Sequence, residues 1–239
     1  MTKVNDLSKI NKAILAITAH PDDHISFAGT VLKLKDKGYK FYEVVLSDGE
    51  EAGIIKRGKR MVKVDKREQL KVRKKEFEKA SKILGTEKVF RLHLANLNIQ
   101  YSKESLFKLM KIIREIRPEI AFIHHPKDYM HDHIAASYLS LEALKTASYS
   151  FALNLGQNFR VPMVFLFEGV NPINPDVLVD ISDYFDKKME LAKVYGSQMG
   201  SRSFQLMESA ASFRGYFARV KYAEAFEVPE NYPIILDWR

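Results

Sequence analysis

Short apolar runs alternate with longer amphipathic ones through the first two-thirds of the chain. KAILAITA (12–19), KFYEVVLS (40–47), EKVFRLHL (87–94) and EIAFIHH (119–125) read as buried strands. Between the first two, Phe27, Val31, Leu32 and Leu34 fall near helical spacing, with Gly38 as a stop. Leu70, Phe77, Ala80 and Leu84 supply the apolar face of a helix expected from about Val64 to Leu84 and closed by Gly85. Ser102 or Ser105 caps the helix that Pro118 follows, and another helix is expected to begin at Asp132. VPMVFLFEG and VLVDIS read as further strands, and helices near 183–199 and 205–220 precede the tail. Such alternation predicts an α/β fold: a mostly parallel sheet with helices on both faces. With no repeat, low-complexity linker or composition break, one domain over 1–239 is expected.

Composition narrows the function. The 239 residues are 46% hydrophobic and 28% charged, as globular chains are. Cysteine is absent, so any metal must be held by His, Asp or Glu. The opening MTKVNDLSKINK lacks the apolar stretch of a secretory signal, and no apolar run is long enough to span a bilayer, so a cytoplasmic location is expected. The net charge is +8, and residues 56–75 hold eleven Lys or Arg against Asp65 and Glu68. A solvated helix face explains that stretch most simply; an anionic portion of a substrate, or nucleic acid, are the sharper readings. No nucleic-acid partner is expected, because no aromatic-rich RNA-binding signature or zinc-finger spacing accompanies the charge.

In open α/β sheets ligands collect outside the carboxyl ends of the strands. Six of the seven histidines fall at two such ends. AHPDDH brings His20, Asp22, Asp23 and His24; HHPKDYMHDH brings His124, His125, Asp128, His131, Asp132 and His133. Taken singly, each Asp is more simply a helix cap and each His a structural hydrogen-bonding group. Their convergence on one sheet edge favours a metal site instead. Catalytic zinc takes three His or carboxylate ligands and keeps one position open. His20 and Asp23 are three residues apart in a turn stiffened by Pro21, and His133 is the best-placed third ligand from the other strand end. Asp22, left outside that set, is positioned to accept a proton from water. One zinc per chain is expected; another divalent metal would fit the same ligands.

AHPDD, then SDGE, then DYMHDH, then KYAEAF, in that order between about residues 12 and 226, resemble the LmbE-like (PIG-L) family of N-acetylglucosaminyl deacetylases. The resemblance implies a Rossmann-like three-layer α/β sandwich and zinc-dependent removal of an acyl group from an amino sugar or its conjugate. It implies His20, Asp23 and His133 as ligands and Asp22 as general base. Where many relatives have an oxyanion-stabilising His, this chain has Met130, whose thioether donates no hydrogen bond. His131 or His125, or another donor, is then expected to take that catalytic role, with Met130 at the substrate. His24 stands where the family often has Glu, and LANLN (94–98) where relatives often carry an acid. Arg67, Arg73 and Glu76 fall where family members contact substrate or brace the site, and Arg67 is the expected substrate contact. An ion-paired helix face accounts for Arg73 and Glu76 equally well. Glu224 is expected to be structural, and Ser197 and Gln198 to approach the site. Relatives are often trimers or hexamers, so a homo-oligomer is compatible with the resemblance. Two other functions compete: a two-metal phosphoester hydrolase, and a non-enzymatic basic protein that binds anions or nucleic acid through 56–75.

Overall fold

The computed structural model describes residues 11–234 apart from 52 and 59. The chain opens with strand β1 (Asn11–Thr18), whose residues alternate between two cores. Leu15 and Ile17 face one core, with Ile123, Leu109, Ile113 and Leu144. Ile14 and Ala16 face the other, with Phe27, Val31, Phe122 and Leu191. Period-two alternation with both faces apolar makes this the middle layer of three. A short 3-10 helix (Asp23–Phe27) leads into α1 (Ala28–Asp36), and β2 (Lys40–Ser47) returns parallel to β1. Helix α2 (Lys66–Leu84) is capped by the Asp65 carboxylate, which accepts from Glu68 N, and ends at Gly85 in the left-handed conformation. Strand β5 (Thr86–Leu94) follows, then α3 (Lys103–Ile116) with a Ser102–Ser105 capping box, then β6 (Pro118–His124) and α4 (His131–Ala147). The chain continues through β7 (Met163–Phe167), β8 (Val177–Asp180), α5 (Phe185–Val194), α6 (Ser201–Ala218) and β9 (Ala223–Glu227).

The seven-stranded sheet has the order β5-β2-β1-β6-β7-β9-β8. Within this sheet, among the described strands, β9 alone runs opposite to the rest. From β1 the chain builds outward to β2 and β5, then crosses back to begin the other half at β6. The reversal opens a crevice at the carboxyl ends of β1 and β6.

Two elements differ from the sequence reading. The basic stretch 56–63 is not helical: β3 (Ile54–Arg57) and β4 (Arg60–Lys63) form a separate antiparallel hairpin before α2. Its short alternating pattern was swamped by charge. YAEAF forms the antiparallel strand β9, inserted between β7 and β8 by long-range pairing that no local periodicity reveals.

Candidate metal and active site

The crevice between β1 and β6 contains both histidine-rich segments. Past the end of β1 the backbone turns sharply, and His20 N donates to Asp23 Oδ2 at 2.6 Å. Asp23 therefore does not cap the helix after it. It points back under the strand ends, where His124 Nε2 lies 2.9 Å from its Oδ2 and His133 Nε2 lies 3.3 Å from its Oδ1. His20 Nδ1 lies 3.3 Å from His133 Nε2. One ligand atom each from His20, Asp23 and His133 lies within 4.8 Å of the others. A second group, His124, Asp128 and His133, meets the same limit. It shares His133, so the two groups do not make independent sites.

The far nitrogens of the two ligand rings decide between the groups. His20 Nε2 is 3.0 Å from Asp132 Oδ2, and His133 Nδ1 is 3.2 Å from Asp128 Oδ1. A carboxylate thus stands behind each ring, and with a metal bound the near nitrogen, His20 Nδ1 or His133 Nε2, would be the one free to face it beside Asp23. Asp132 is itself held by Leu97 N at 2.8 Å and Ile99 N at 3.3 Å. Asp128 is pressed against Gly169, where an added Cβ would collide with its carboxylate. The His20–Asp23–His133 set thus has the donors, convergence and supporting carboxylates of a divalent-cation site.

The electrostatics agree. Burial alone would lower the His133 pKa, but Asp23 and Asp128 push it up to about 10. Burial also opposes a charged His20, yet Asp132, Asp23 and Asp22 raise it. Burial would raise the Asp23 carboxyl, and His133 and His124 instead hold it well below the usual carboxylate range. The carboxylates demand positive charge at this point, which a proton or a metal cation satisfies.

Asp22 points elsewhere. Its Oδ1 accepts from Arg73 Nη2 at 2.7 Å, and both side chains line the cavity above the ligand set. Arg73 lies along the Gly49 backbone, with its Cζ only 2.7 Å from where a Cβ on Gly49 would stand. Gly49, at φ +69°, supplies both the left-handed turn and the space. Glu76, one turn further along α2, accepts from Ser197 N at 2.9 Å and Ser197 Oγ at 2.7 Å, tying α2 to the α5–α6 connection.

The remaining sequence candidates divide. His24 is buried between Glu43, 3.0 Å from its Nδ1, and Tyr195, whose hydroxyl lies 2.9 Å from its Nε2 and donates to Pro21 O at 2.7 Å. It braces the turn that carries the ligands. Met130 lines the cavity. His131 does not: it is exposed, because helical rotation gives the buried side of the first turn of α4 to Asp132 and His133. His125 turns away from His124 at the end of β6; its Nε2 lies 3.1 Å from Glu227 and its Nδ1 accepts from Lys127 N at 3.0 Å. Neither ring lines the cavity. Arg67 is exposed as well, since the buried stripe of α2 passes through Gln69, Arg73, Phe77 and Ala80. Among the described residues of 56–75, Arg73 is the only basic one that lines the cavity, and Asp22 neutralises it.

Asn96 is a neighbour that sequence reasoning left without a role. Its Oδ1 is 3.0 Å from His20 Nε2, and its own N–H donates to Glu50 Oε1 at 3.0 Å. The signal lay in LANLN and SDGE as a pair. The SDGE loop holds the LANLN segment over the site, aided by Asp48, which pairs with Arg91 and His93.

A family model described as GlcNAc-PI de-N-acetylase (PIG-L) matches residues 15–144. The chain is 27% identical over 241 residues to a diacetylchitobiose deacetylase of Thermococcus kodakarensis, covering 93% of this chain and 85% of that protein. It is 30% identical over 186 residues to a 4-oxalmesaconate hydratase of Pseudomonas putida, covering 74% and 70%. Among solved structures, a conserved protein of Thermus thermophilus superposes with a TM-score of 0.80 at 28% identity, over 95% of this chain and 98% of that one.

Proposed function

The chain belongs to the PIG-L (GlcNAc-PI de-N-acetylase) family, and from that premise we propose that it is a metal-dependent hydrolase that removes an acyl group from the amine of an N-acylated amino sugar or its conjugate. One observation carries the reading: His20, Asp23 and His133 converge with a carboxylate behind each ring, while Asp22 stands beside them on the cavity wall. A divalent cation held by these three residues, zinc being the best match to the donor set, would supply Lewis-acid polarisation of the acyl oxygen and of water.

The chain's own residues supply the rest. Asp22 is the general base. Arg73 occupies its Oδ1, which fixes the carboxylate and leaves Oδ2 to take a proton from the attacking water. The proton then passes to the departing amine as the tetrahedral intermediate collapses. Asn96 and Arg73 line the cavity, as does Met130, and their side-chain N–H groups are available as donors to a developing oxyanion. The shared use of His133 by both candidate groups favours one cation per chain over the two-metal phosphoester reading.

The test is amine release from N-acetylglucosamine and its conjugates, read with fluorescamine, on metal-loaded and chelator-treated protein. Chelator-sensitive release supports the proposal; its absence across the panel sinks it. The likeness to a hydratase gives a second reading, in which the same polarised water adds to a carbon–carbon double bond. Loss of ultraviolet absorbance from a conjugated unsaturated acid, without amine release from any sugar, selects that reading.

A further inference from the structure

Glu43 stands in the middle of strand β2, fully buried, and the proposed reaction makes no use of it. A carboxylate placed there loses its hydration and needs partners. Its two oxygens lie 3.0 and 3.1 Å from His24 Nδ1, and Oε1 accepts from Thr18 Oγ1 at 3.3 Å. His24 is fully buried too, and its Nε2 lies 2.9 Å from the hydroxyl of Tyr195, buried at the end of α5. That hydroxyl has one proton and donates it to Pro21 O at 2.7 Å. His24 Nε2 must then donate to the hydroxyl oxygen, and Nδ1 to Glu43, so every link has a fixed direction. Burial, with Glu43 and Asp22 nearby, raises the Tyr195 pKa well above its ordinary value, which keeps the donated proton in place.

This chain of hydrogen bonds ends at the peptide between a metal ligand and the general base. The Pro21 carbonyl and the Asp22 N–H share one rigid plane, so turning that peptide swings Asp22. The turn's own backbone bonds are longer: Asp23 N donates to His20 O at 3.4 Å, and Ile25 N to Asp22 O at 3.2 Å. Glu43, His24 and Tyr195 do not line the cavity. We propose that these three are positioning residues, which fix the Pro21–Asp22 peptide from below and so aim the Asp22 carboxylate, while Arg73 holds its Oδ1 from the cavity side. The proposal rests on the hydrolase reading only in taking Asp22 as the base.

Tyr195→Phe deletes the hydroxyl and keeps the ring. It is expected to lower kcat for amine release by about ten- to hundredfold, as a small misplacement of a reacting group does. KM, and metal affinity by calorimetry, are expected to stay unchanged. In the Asp22→Asn background the same substitution is expected to have no further effect on kcat, because no base remains to be aimed. A general loss of structure would instead multiply through both backgrounds. The second measurement is the crystal structure of metal-loaded Tyr195→Phe, in which the Pro21–Asp22 peptide is expected to turn and the Asp22–Arg73 bond to lengthen or break. Glu43→Gln, expected to give a smaller loss of the same kind, takes its place in both measurements if Tyr195→Phe does not fold. An equal kcat loss in both backgrounds overturns the proposal, as does a variant structure in which Pro21 and Asp22 have not moved. Wild-type protein that releases no amine sinks the hydrolase reading instead, and the variant structure still decides whether Tyr195 sets the turn.

Discussion

Asp22 and Asp23 are adjacent and have opposite surroundings. Asp23 is buried among His20, His124 and His133, whereas Asp22 meets Arg73 and reaches the cavity. Asp22→Asn is therefore expected to keep bound metal and to lower kcat by about 10²–10⁴-fold, the usual contribution of a general base. Metal analysis and steady-state kinetics on the same preparation check this; loss of metal together with activity would contradict the assignment. Gly49 is the companion prediction. Gly49→Ala puts a methyl into the Arg73 guanidinium and forces a side chain to φ +69°. It is expected to cost about 1–2 kcal/mol of stability and to lower kcat with the metal site unchanged, by urea unfolding and kinetics.

At the scale of elements, the connection to watch joins α1 to β9. Glu224 on β9 caps the N-terminus of α1 through Gly29 and Thr30 and neutralises buried Lys188 on α5. Three elements distant in sequence meet on one carboxylate. Glu224→Ala leaves the Lys188 ammonium buried without its counter-charge and removes the acceptor for two helix N–H groups. A loss of about 3–5 kcal/mol is expected for breaking such a pair from one side. The double substitution Glu224→Met with Lys188→Met is expected to cost less than the sum of the single changes, and a double-mutant cycle in urea measures the difference. Additivity would show that the pair is not coupled.

For the whole molecule, metal occupancy and pH are linked. In metal-free protein the carboxylates hold a proton on His133 up to about pH 10 and favour one on His20. Both rings must be deprotonated to ligate. Metal binding at neutral pH therefore displaces protons, so apparent affinity rises with pH up to about 10 and falls on acidification, by about tenfold per pH unit for each proton displaced. Titrations in buffers of different ionisation enthalpy are expected to show at least one proton released per metal bound at neutral pH. A pH-independent affinity would place the metal elsewhere. No described helix is long and apolar enough to cross a membrane.

The sequence by itself determined the parts that local physics controls. Apolar runs marked β1, β2, β5 and β6, period-3.6 stripes marked α2 and α3, and Ser102, Asp65 and Gly85 set helix ends by hydrogen bonding and backbone freedom. The clustering of His20, Asp22, Asp23 and His133 at strand ends made their convergence legible before any coordinates, because parallel α/β topology brings those ends together. The tertiary structure alone decided orientation. Residues close together on one strand or helix point different ways, which separates His124 from His125, His133 from His131 and Arg73 from Arg67. It alone also decided the antiparallel β9, the Asp22–Arg73 pair and the cavity wall that α6 supplies. These depend on contacts between segments far apart in the chain, and no residue's own neighbourhood in sequence encodes what it will face across a cavity.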